Sequence, residues 1–278
     1  MKTPSKKGLY KDVPAVAYHA WEALSVSRTK TADRSVLHYR YEQTHPKERT
    51  AAMALGAGTH FSTLEPDLFD ATYVRAPKFD MRTNKGKEAA AQFALDNEGK
   101  ERLTGSDYDL CLAMRDACWS HPIAREFLSG EGINEASALW KDTATGLRCK
   151  ARPDRITMFG GYYHVVDLKT TKDASRSAFA RQIANLKYHW QAAHYLDGLY
   201  AIEPAPRAFT FIAVENTPPH AVAIYTMDEN DIDQGRAELA KVVAAIAAAE
   251  RSNEWPGYPA EVTEISLPGW AQRSPEYE

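Results

Sequence analysis

Two aspartates and a lysine near the middle of the chain combine residue types that act on phosphates. Asp167 and Lys169 lie inside a largely apolar run, and Asp154 precedes them by a short stretch of sequence. Side chains alternate along a strand, so Asp167 and Lys169 share one face while Val166 and Leu168 take the other. Charged groups within such a run are costly to bury unless they serve a purpose. The pattern predicts a polar site on one face of a buried strand.

The chemistry that these residues suit is hydrolysis of a phosphodiester. This reaction needs a nucleophilic water and a counter to the charge that grows on the phosphate oxygens, and Mg²⁺ provides both through oxygen ligands. Asp154 and Asp167 supply two carboxylates, and Glu135 on a preceding strand can supply a third. The backbone carbonyl of Leu168 is a further candidate ligand, because its side chain is turned into the core. Lys169 can orient the attacking water or stabilise the pentavalent state.

A β-hairpin is the element expected to bring these groups together. Segment 148–171 contains two extended runs on either side of Gly160-Gly161, a dipeptide typical of tight turns. We predict that the two runs pair, with Asp154 on the first strand and Asp167 on the second. Alternation adds three cations to the face of Asp154, where DNA phosphates would lie: Arg148, Lys150 and Arg152.

Two of these interpretations have a structural alternative. An Asp-x-Lys pair is also common as an ion pair on the surface of a hairpin. His60 stands among small and apolar residues, a setting in which histidine is more often a packed residue than a ligand or a DNA contact. The spacing from His60 to Glu65 excludes the HExxH zinc motif.

The composition is that of an ordinary globular protein. The 278 residues are 44% hydrophobic and 26% charged, with a formal net charge of -3. This charge gives no overall sign of nucleic-acid binding, but an acidic site can mask a local basic channel. Because neither an apolar run of ~20 residues nor an apolar start is present, we expect a cytoplasmic protein with no membrane partner. Three cysteines lack zinc spacing: Cys111, Cys118 and Cys149.

The chain is expected to form one domain with four parts. These are a loose arm over 1–14, a mostly helical part over 15–130, a core over 131–251 and an irregular tail over 252–278. Hydrophobic periodicity predicts helices at 50–64, 84–97, 106–120, 123–128, 175–200 and 231–251. A loop is predicted at 44–49, and strands outside the hairpin at 134–141, 207–215 and 221–227. The apolar run at 207–215 is typical of a strand covered on both faces.

The motif residues resemble a known nuclease superfamily. Pro153-Asp154 followed by Asp167-Leu168-Lys169 looks like the PD-(D/E)xK motif. Gln191 and Tyr195 resemble the Q-x-x-x-Y element that follows this motif in the RecB-like branch, and Gly58-Thr59-His60 resembles the histidine element that precedes it there. The wider pattern is similar to the RecE-like exonuclease VIII family, through Tyr18-His19, Glu135, the run 149–154 and Trp255-Pro256-Gly257-Tyr258.

The resemblance implies an α/β fold with a mixed central β-sheet flanked by helices, plus an N-terminal helical region. It implies an exonuclease that digests linear double-stranded DNA from 5′ to 3′ with Mg²⁺, for which Mn²⁺ can substitute. The product would be a 3′ single strand for a single-strand annealing protein in phage-type recombination. A ring-shaped homo-oligomer, a trimer or tetramer, and a phage or prophage origin within a bacterial cytoplasm are implied as well.

The resemblance also implies a role for each matching residue. Asp154 and Asp167 would be metal ligands, Lys169 the catalytic lysine, and Glu135 an acidic ligand or a group that positions water. His60 would contact metal or phosphate. Gln191 and Tyr195 would orient the site or bind the DNA strand. A restriction or repair endonuclease and a non-catalytic DNA-binding protein are the alternatives.

Overall fold

The computed structural model describes residues 2–45 and 50–268. Its strands are β1 Gly8–Tyr10, β2 Tyr73–Ala76, β3 Glu101–Thr104, β4 Gly132–Asn134, β5 Ser137–Lys141, β6 Arg148–Ala151, β7 Arg155–Phe159, β8 Tyr162–Thr171, β9 Arg207–Glu215 and β10 Val222–Thr226. Its helices are α1 Ala15–His19, α2 Val26–Arg34, α3 Val36–Thr44, α4 Ala51–Leu64, α5 Pro66–Thr72, α6 Asn84–Asp96, α7 Gly105–Ser120, α8 Pro122–Ser129, α9 Arg176–Asn185, α10 Tyr188–Ile202 and α11 Glu229–Ser252. None of the described helices combines the length and apolarity needed to cross a membrane.

A five-stranded sheet forms the centre of the fold. Its strand order is β10-β9-β8-β7-β4, in which β8 and β9 run parallel and the other pairs are antiparallel. Parallel neighbours need a crossover connection, and α9 and α10 form it. β9 is buried through most of its length, as its apolar run predicts. The predicted mixed α/β fold with flanking helices is confirmed.

Alternation along β8 divides the core into two layers. Val165 packs with Phe209, Phe211 and Trp190 on the side covered by α9, α10 and α11. Val166 and Leu168 pack on the opposite side with α7 and α8. Asp167 and Lys169 lie on the same face of β8 as Val165, so their side chains lie under α10. The predicted division of faces along this strand is confirmed.

A second sheet, of order β1-β5-β6, includes part of the predicted loose arm. Residues 8–10 form β1, and Leu9 aligns with Ala138 of β5. The prediction of a loose arm is therefore wrong at β1. The physical reason is that the edge of β5 offers backbone donors and acceptors that must find partners, and a short extended segment provides them. Tyr10 then packs edge-on against Trp21.

The hairpin is shorter than predicted. β7 and β8 pair around Gly160-Gly161, whose φ values of +57° and +81° suit glycine. β6 instead pairs with β5 in the other sheet, so the run that was predicted as one strand is divided. The chain changes sheets at residues 152–154, where Pro153 has no backbone N–H to donate to a ladder. Asp154 therefore precedes β7 and lies between the two sheets.

This division removes two of the three predicted DNA-binding cations from the face of Asp154. Lys150 is 2% exposed, and its Nζ donates to the backbone carbonyls of Tyr18, His19 and Trp21 at 2.9, 3.2 and 2.8 Å. Arg148 donates to the carbonyl of Pro4. The prediction of a basic row is wrong, because strict alternation over 148–154 required a single strand.

Two other predicted elements are interrupted. The strand at 134–141 is divided into β4 and β5 by Glu135, whose φ is +50°. The helix at 175–200 is divided into α9 and α10 by Lys187, whose φ is +53°, and the adjacent Leu186 is 47% exposed. β3 was not predicted. Residues 253–268 contain no helix or strand.

The remaining parts of two predicted segments lie outside the described residues. These are 46–49 of the predicted loop and 269–278 of the predicted tail.

Lys150→Met tests whether this lysine is structural. The substitution keeps the length of the side chain but removes the donor to three carbonyls, so we expect the free energy of unfolding to fall by about 1–3 kcal/mol. Urea denaturation measures the change, and the exposed Lys141→Met on β5 is the matched control. Equal stabilities of the two variants would contradict the assignment.

Candidate active site

Asp167 and Lys169 form a buried ion pair beneath α10. Lys169 Nζ lies 2.5 Å from Asp167 Oδ2, and the side chains are 16% and 1% exposed. Gln191 of α10 donates from Nε2 to Asp167 Oδ1 at 2.5 Å. Burial raises the pKa of the Tyr195 hydroxyl, one helical turn further, and the neighbouring Gln191 side chain acts to lower it. Gln191 of the Q-x-x-x-Y element thus holds Asp167, and Tyr195 lies half-buried on the same face of α10.

Asp154 joins this group across the edge of β8. The last residue of β8 that pairs with β7 is Val166, so the strand continues beyond its partner. Asp154 Oδ2 lies at the edge of β8 that β7 leaves unpaired, where it accepts a hydrogen bond from the N–H of Leu168 at 2.7 Å. Within a strand, the N–H and C=O of one residue point toward the same neighbour. The carbonyl of Leu168 therefore faces the same pocket, as a metal ligand there requires.

Glu135 reaches the pocket through the irregular turn between β4 and β5. Its N–H donates to the carbonyl of Asp154 at 3.0 Å, and its Oε2 accepts from Arg152 Nε at 2.8 Å. A non-glycine residue with positive φ costs energy and persists where the surroundings hold it, often at functional sites. Arg152 is the one cation of the predicted row that stays beside the acidic residues, as the partner of Glu135.

His60 is brought to Asp154 by the close packing of α4. A Cβ added to Gly58 would lie 2.8 Å from Cys111 Sγ of α7, so this glycine permits the two helices to approach. His60 Nδ1 then lies 3.2 Å from Asp154 Oδ2, with the imidazole 25% exposed. His60, Glu135 and Asp154 each offer one ligand atom, and these atoms lie within 4.8 Å of one another.

Burial and mutual charge set the protonation of these groups. Burial acts to lower the pKa of His60, but the Asp154 carboxylate raises it to about 9. Burial acts to raise the pKa of Asp154, yet the charge of His60 lowers it. Burial would lower the pKa of Lys169, but Asp167 and Asp154 raise it, so this lysine is a cation at neutral pH.

The other two carboxyl groups lack sufficient positive charge nearby. Burial raises the pKa of Asp167 although Lys169 is adjacent. Burial, followed by the charge of Asp154, raises the pKa of Glu135 to about 7. Carboxylates with such shifts gain most from an added cation.

The donor set fits a divalent cation. Glu135, Asp154 and His60 offer ligand atoms that lie within 4.8 Å of one another, and buried Asp167 and the Leu168 carbonyl belong to β8, whose Leu168 N–H donates to Asp154. Carboxylate and carbonyl oxygens are preferred by Mg²⁺ and Mn²⁺. Asp167 and Glu135 carry raised pKa values because burial and neighbouring charge oppose their ionisation. A cation between these two carboxyl groups would offset both burial and the neighbouring charge, and would therefore favour the ionised forms. The pocket thus has the composition of a metal site.

Tyr188 is a member of the site that the sequence did not indicate. It is the first residue of α10, and the centroid of its ring lies 4.7 Å from Lys169 Nζ. The only signal was its position three residues before Gln191, one helical turn away on the same face. This spacing alone does not distinguish Tyr188 from the other aromatic residues of the same segment.

Comparisons with known proteins agree with this architecture. A family model described as "PDDEXK-like domain of unknown function (DUF3799)" matches residues 25–266. A crystal structure of a "Putative exonuclease" from Eubacterium rectale has a TM-score of 0.57 at 13% identity, covering 90% of this chain and 96% of its own. That likeness concerns the fold alone.

Two further comparisons concern a second solved structure and the curated proteins. The crystal structure of SSO0001 covers 75% of this chain and 84% of its own at 10% identity, but its TM-score is 0.28. No curated protein matches the sequence.

The family match extends over most of the chain and includes every residue of the pocket. The match agrees with the PD-(D/E)xK pattern of Asp154, Asp167 and Lys169. The chain belongs to the family of PDDEXK-like domains.

Proposed function

We propose that this protein is a divalent-metal-dependent exodeoxyribonuclease that degrades linear double-stranded DNA. The observation that carries the proposal is the convergence of Asp154, Asp167 and Lys169 in one buried pocket, beside His60 and Glu135. A purely structural ion pair would not need two further carboxylates at the same place. The name of the Eubacterium rectale neighbour supports an exonuclease over other nucleases.

The pocket residues would have two roles: to bind a cation and to stabilise developing charge. Glu135, Asp154 and Asp167, with His60 and the Leu168 carbonyl, would hold the metal. When bound, a divalent ion supplies positive charge beside the phosphate and lowers the pKa of a water molecule.

Lys169 would stabilise the developing charge. It remains protonated, and its ammonium group would stabilise the charge that develops on the phosphate oxygens. Gln191 holds Asp167 Oδ1 and so fixes the orientation of the carboxylate.

Mg²⁺ is the proposed ion, because carboxylate and carbonyl oxygens dominate the donor set. Mn²⁺ is expected to replace it, since the same carboxylate and carbonyl oxygens suit Mn²⁺ as well.

The resemblance to RecE-like exonucleases supports the finer part of the proposal. Digestion would run from 5′ to 3′ and leave 3′ single strands for an annealing partner in recombination. A homo-oligomeric ring of three or four subunits would keep the enzyme on its duplex. The setting would be the cytoplasm of a bacterium that carries the corresponding phage or prophage. An endonuclease of restriction or repair type, or a non-catalytic DNA-binding protein, is the alternative function.

Metal binding can be tested without DNA. Mn²⁺ at a hundred times its Kd stabilises the folded state by about 2.7 kcal/mol, so Tm should rise by several degrees. In Asp154→Asn, which removes a charged ligand, we expect most of this metal-dependent rise to disappear. Thermal unfolding with and without Mn²⁺ measures it, and Asp116→Asn, whose side chain is 65% exposed, is the matched control. A full metal-dependent rise in Asp154→Asn would contradict the site.

The proposed activity is tested with end-labelled linear duplex and covalently closed circles. Wild-type protein with Mg²⁺ should digest the linear DNA and leave the circles intact. Asp167→Ala or Lys169→Ala should lower the rate by about a thousandfold or more, because each removes charge from the transition state. Circular dichroism verifies that the variants fold.

The alternatives give distinct results in the same assay. Cleavage of closed circles would indicate an endonuclease. Duplex that is bound but never cut, with Mg²⁺ or Mn²⁺ added, would indicate a binding protein. Full activity of purified Asp167→Ala would overturn the assignment of the site.

A further inference from the structure

The junction between α9 and α10 is held in place by α2. Lys30 Nζ donates to the carbonyl of Leu186 at 2.6 Å, at the C-terminal end of α9. Asp33 Oδ2, one turn further along α2, lies 2.7 Å from Lys187 Nζ. A cation at a helix C-terminus also interacts favourably with the helix dipole. Two contacts from a distant part of the sequence therefore fasten the residues at which the helix is interrupted.

The interruption sets the position of Tyr188. The residue immediately before it, Lys187, has a left-handed backbone with a φ of +53°, so α10 starts in a new direction at Tyr188. The ring of Tyr188 then lies 4.7 Å from Lys169 Nζ and 5.3 Å from Lys30 Nζ, measured to the centroid. Its hydroxyl accepts a longer hydrogen bond from Gln182 Nε2 at 3.4 Å.

The first turn of α10 thus contacts both members of the buried ion pair. Tyr188 faces the ammonium group of Lys169, and Gln191 donates to the carboxylate of Asp167. Without the ring, the flexible lysine side chain would be directed mainly by its bond to Asp167. A cation above an aromatic face is attracted by the ring quadrupole, more strongly when water is excluded. Lys169 is only 16% exposed, so this attraction is little screened.

We propose that Tyr188 is a positioning residue of the nuclease site, which holds the ammonium group of Lys169 through a cation–π contact, and that Lys30 fixes the ring by fastening the α9–α10 junction. This inference rests on the proposed function for its kinetic consequence. The placement of Lys169 by the ring is independent of that function. An aromatic ring is required at position 188, whereas the hydroxyl group is dispensable.

Kinetics on linear duplex with Mg²⁺ provide the first test. Tyr188→Leu removes the ring and should lower kcat on the order of tenfold with KM unchanged, because the contact acts on the reacting lysine rather than on DNA binding. Tyr188→Phe keeps the ring and should restore kcat. Lys30→Met should also lower kcat, by a smaller factor. Tyr200→Leu is the control, since Tyr200 lies on the same helix and is 59% exposed.

Three kinetic outcomes would overturn the proposal. A rise in KM at constant kcat in Tyr188→Leu would mean that the ring contacts DNA. Equal losses in Tyr188→Phe and Tyr188→Leu would assign the effect to the hydroxyl. A wild-type kcat in Lys30→Met would contradict the role of Lys30 in fixing the ring of Tyr188.

A spectroscopic readout separates this proposal from the proposed function. With lysine-selective ¹³C labelling, the ε-CH₂ signal of Lys169, identified through Lys169→Arg, should be shifted upfield by the ring current. The shift should persist in Tyr188→Phe and vanish in Tyr188→Leu. If wild-type protein digests no DNA but the shift behaves as described, the proposed function fails and the placement of Lys169 stands. An unshifted Lys169 signal in the wild type would overturn the placement.

Discussion

The burial of like-charged carboxylates in one pocket is the constraint on which the site depends. Half-buried Glu135 lies close to buried Asp154, whose charge also acts on buried Asp167, and an uncompensated charge there would cost several kcal/mol. Each carboxylate therefore has a cationic partner. These partners are Arg152 for Glu135, His60 for Asp154 and Lys169 for Asp167. The pKa values of Glu135 and Asp167 remain raised, which indicates that the compensation is incomplete and that the pocket suits an additional cation.

The fold brings these groups together by ending its regular elements at the pocket. β7 begins one residue after Asp154, and β8 continues beyond the last pair it forms with β7. The free edge of β8 is then completed by a side chain, since Asp154 accepts the N–H of Leu168. The turn between β4 and β5 supplies Glu135, and the interruption before α10 supplies its first turn. Irregular backbone at this place is thus a condition for assembling the site, because continuous strands and helices would direct these residues elsewhere.

The sequence was sufficient for the features that depend on local patterns. Strand alternation correctly separated Asp167 and Lys169 from Leu168, and the apolar run at 207–215 correctly indicated a covered central strand. The interruptions were not predictable in the same way. Glu135 and Lys187 adopt positive φ without being glycine, because contacts from residues far away in the sequence hold them there. Lys150 was misplaced for a related reason, since alternation describes one strand and cannot show where a chain changes sheets.

The most direct measurement is the location of a metal ion in a crystal grown with Mn²⁺, by anomalous diffraction. We expect an anomalous peak within the pocket, bounded by Glu135, Asp154 and Asp167 and adjacent to His60. Manganese found only at other places on the protein, with these side chains unchanged around their ion pairs, would contradict it.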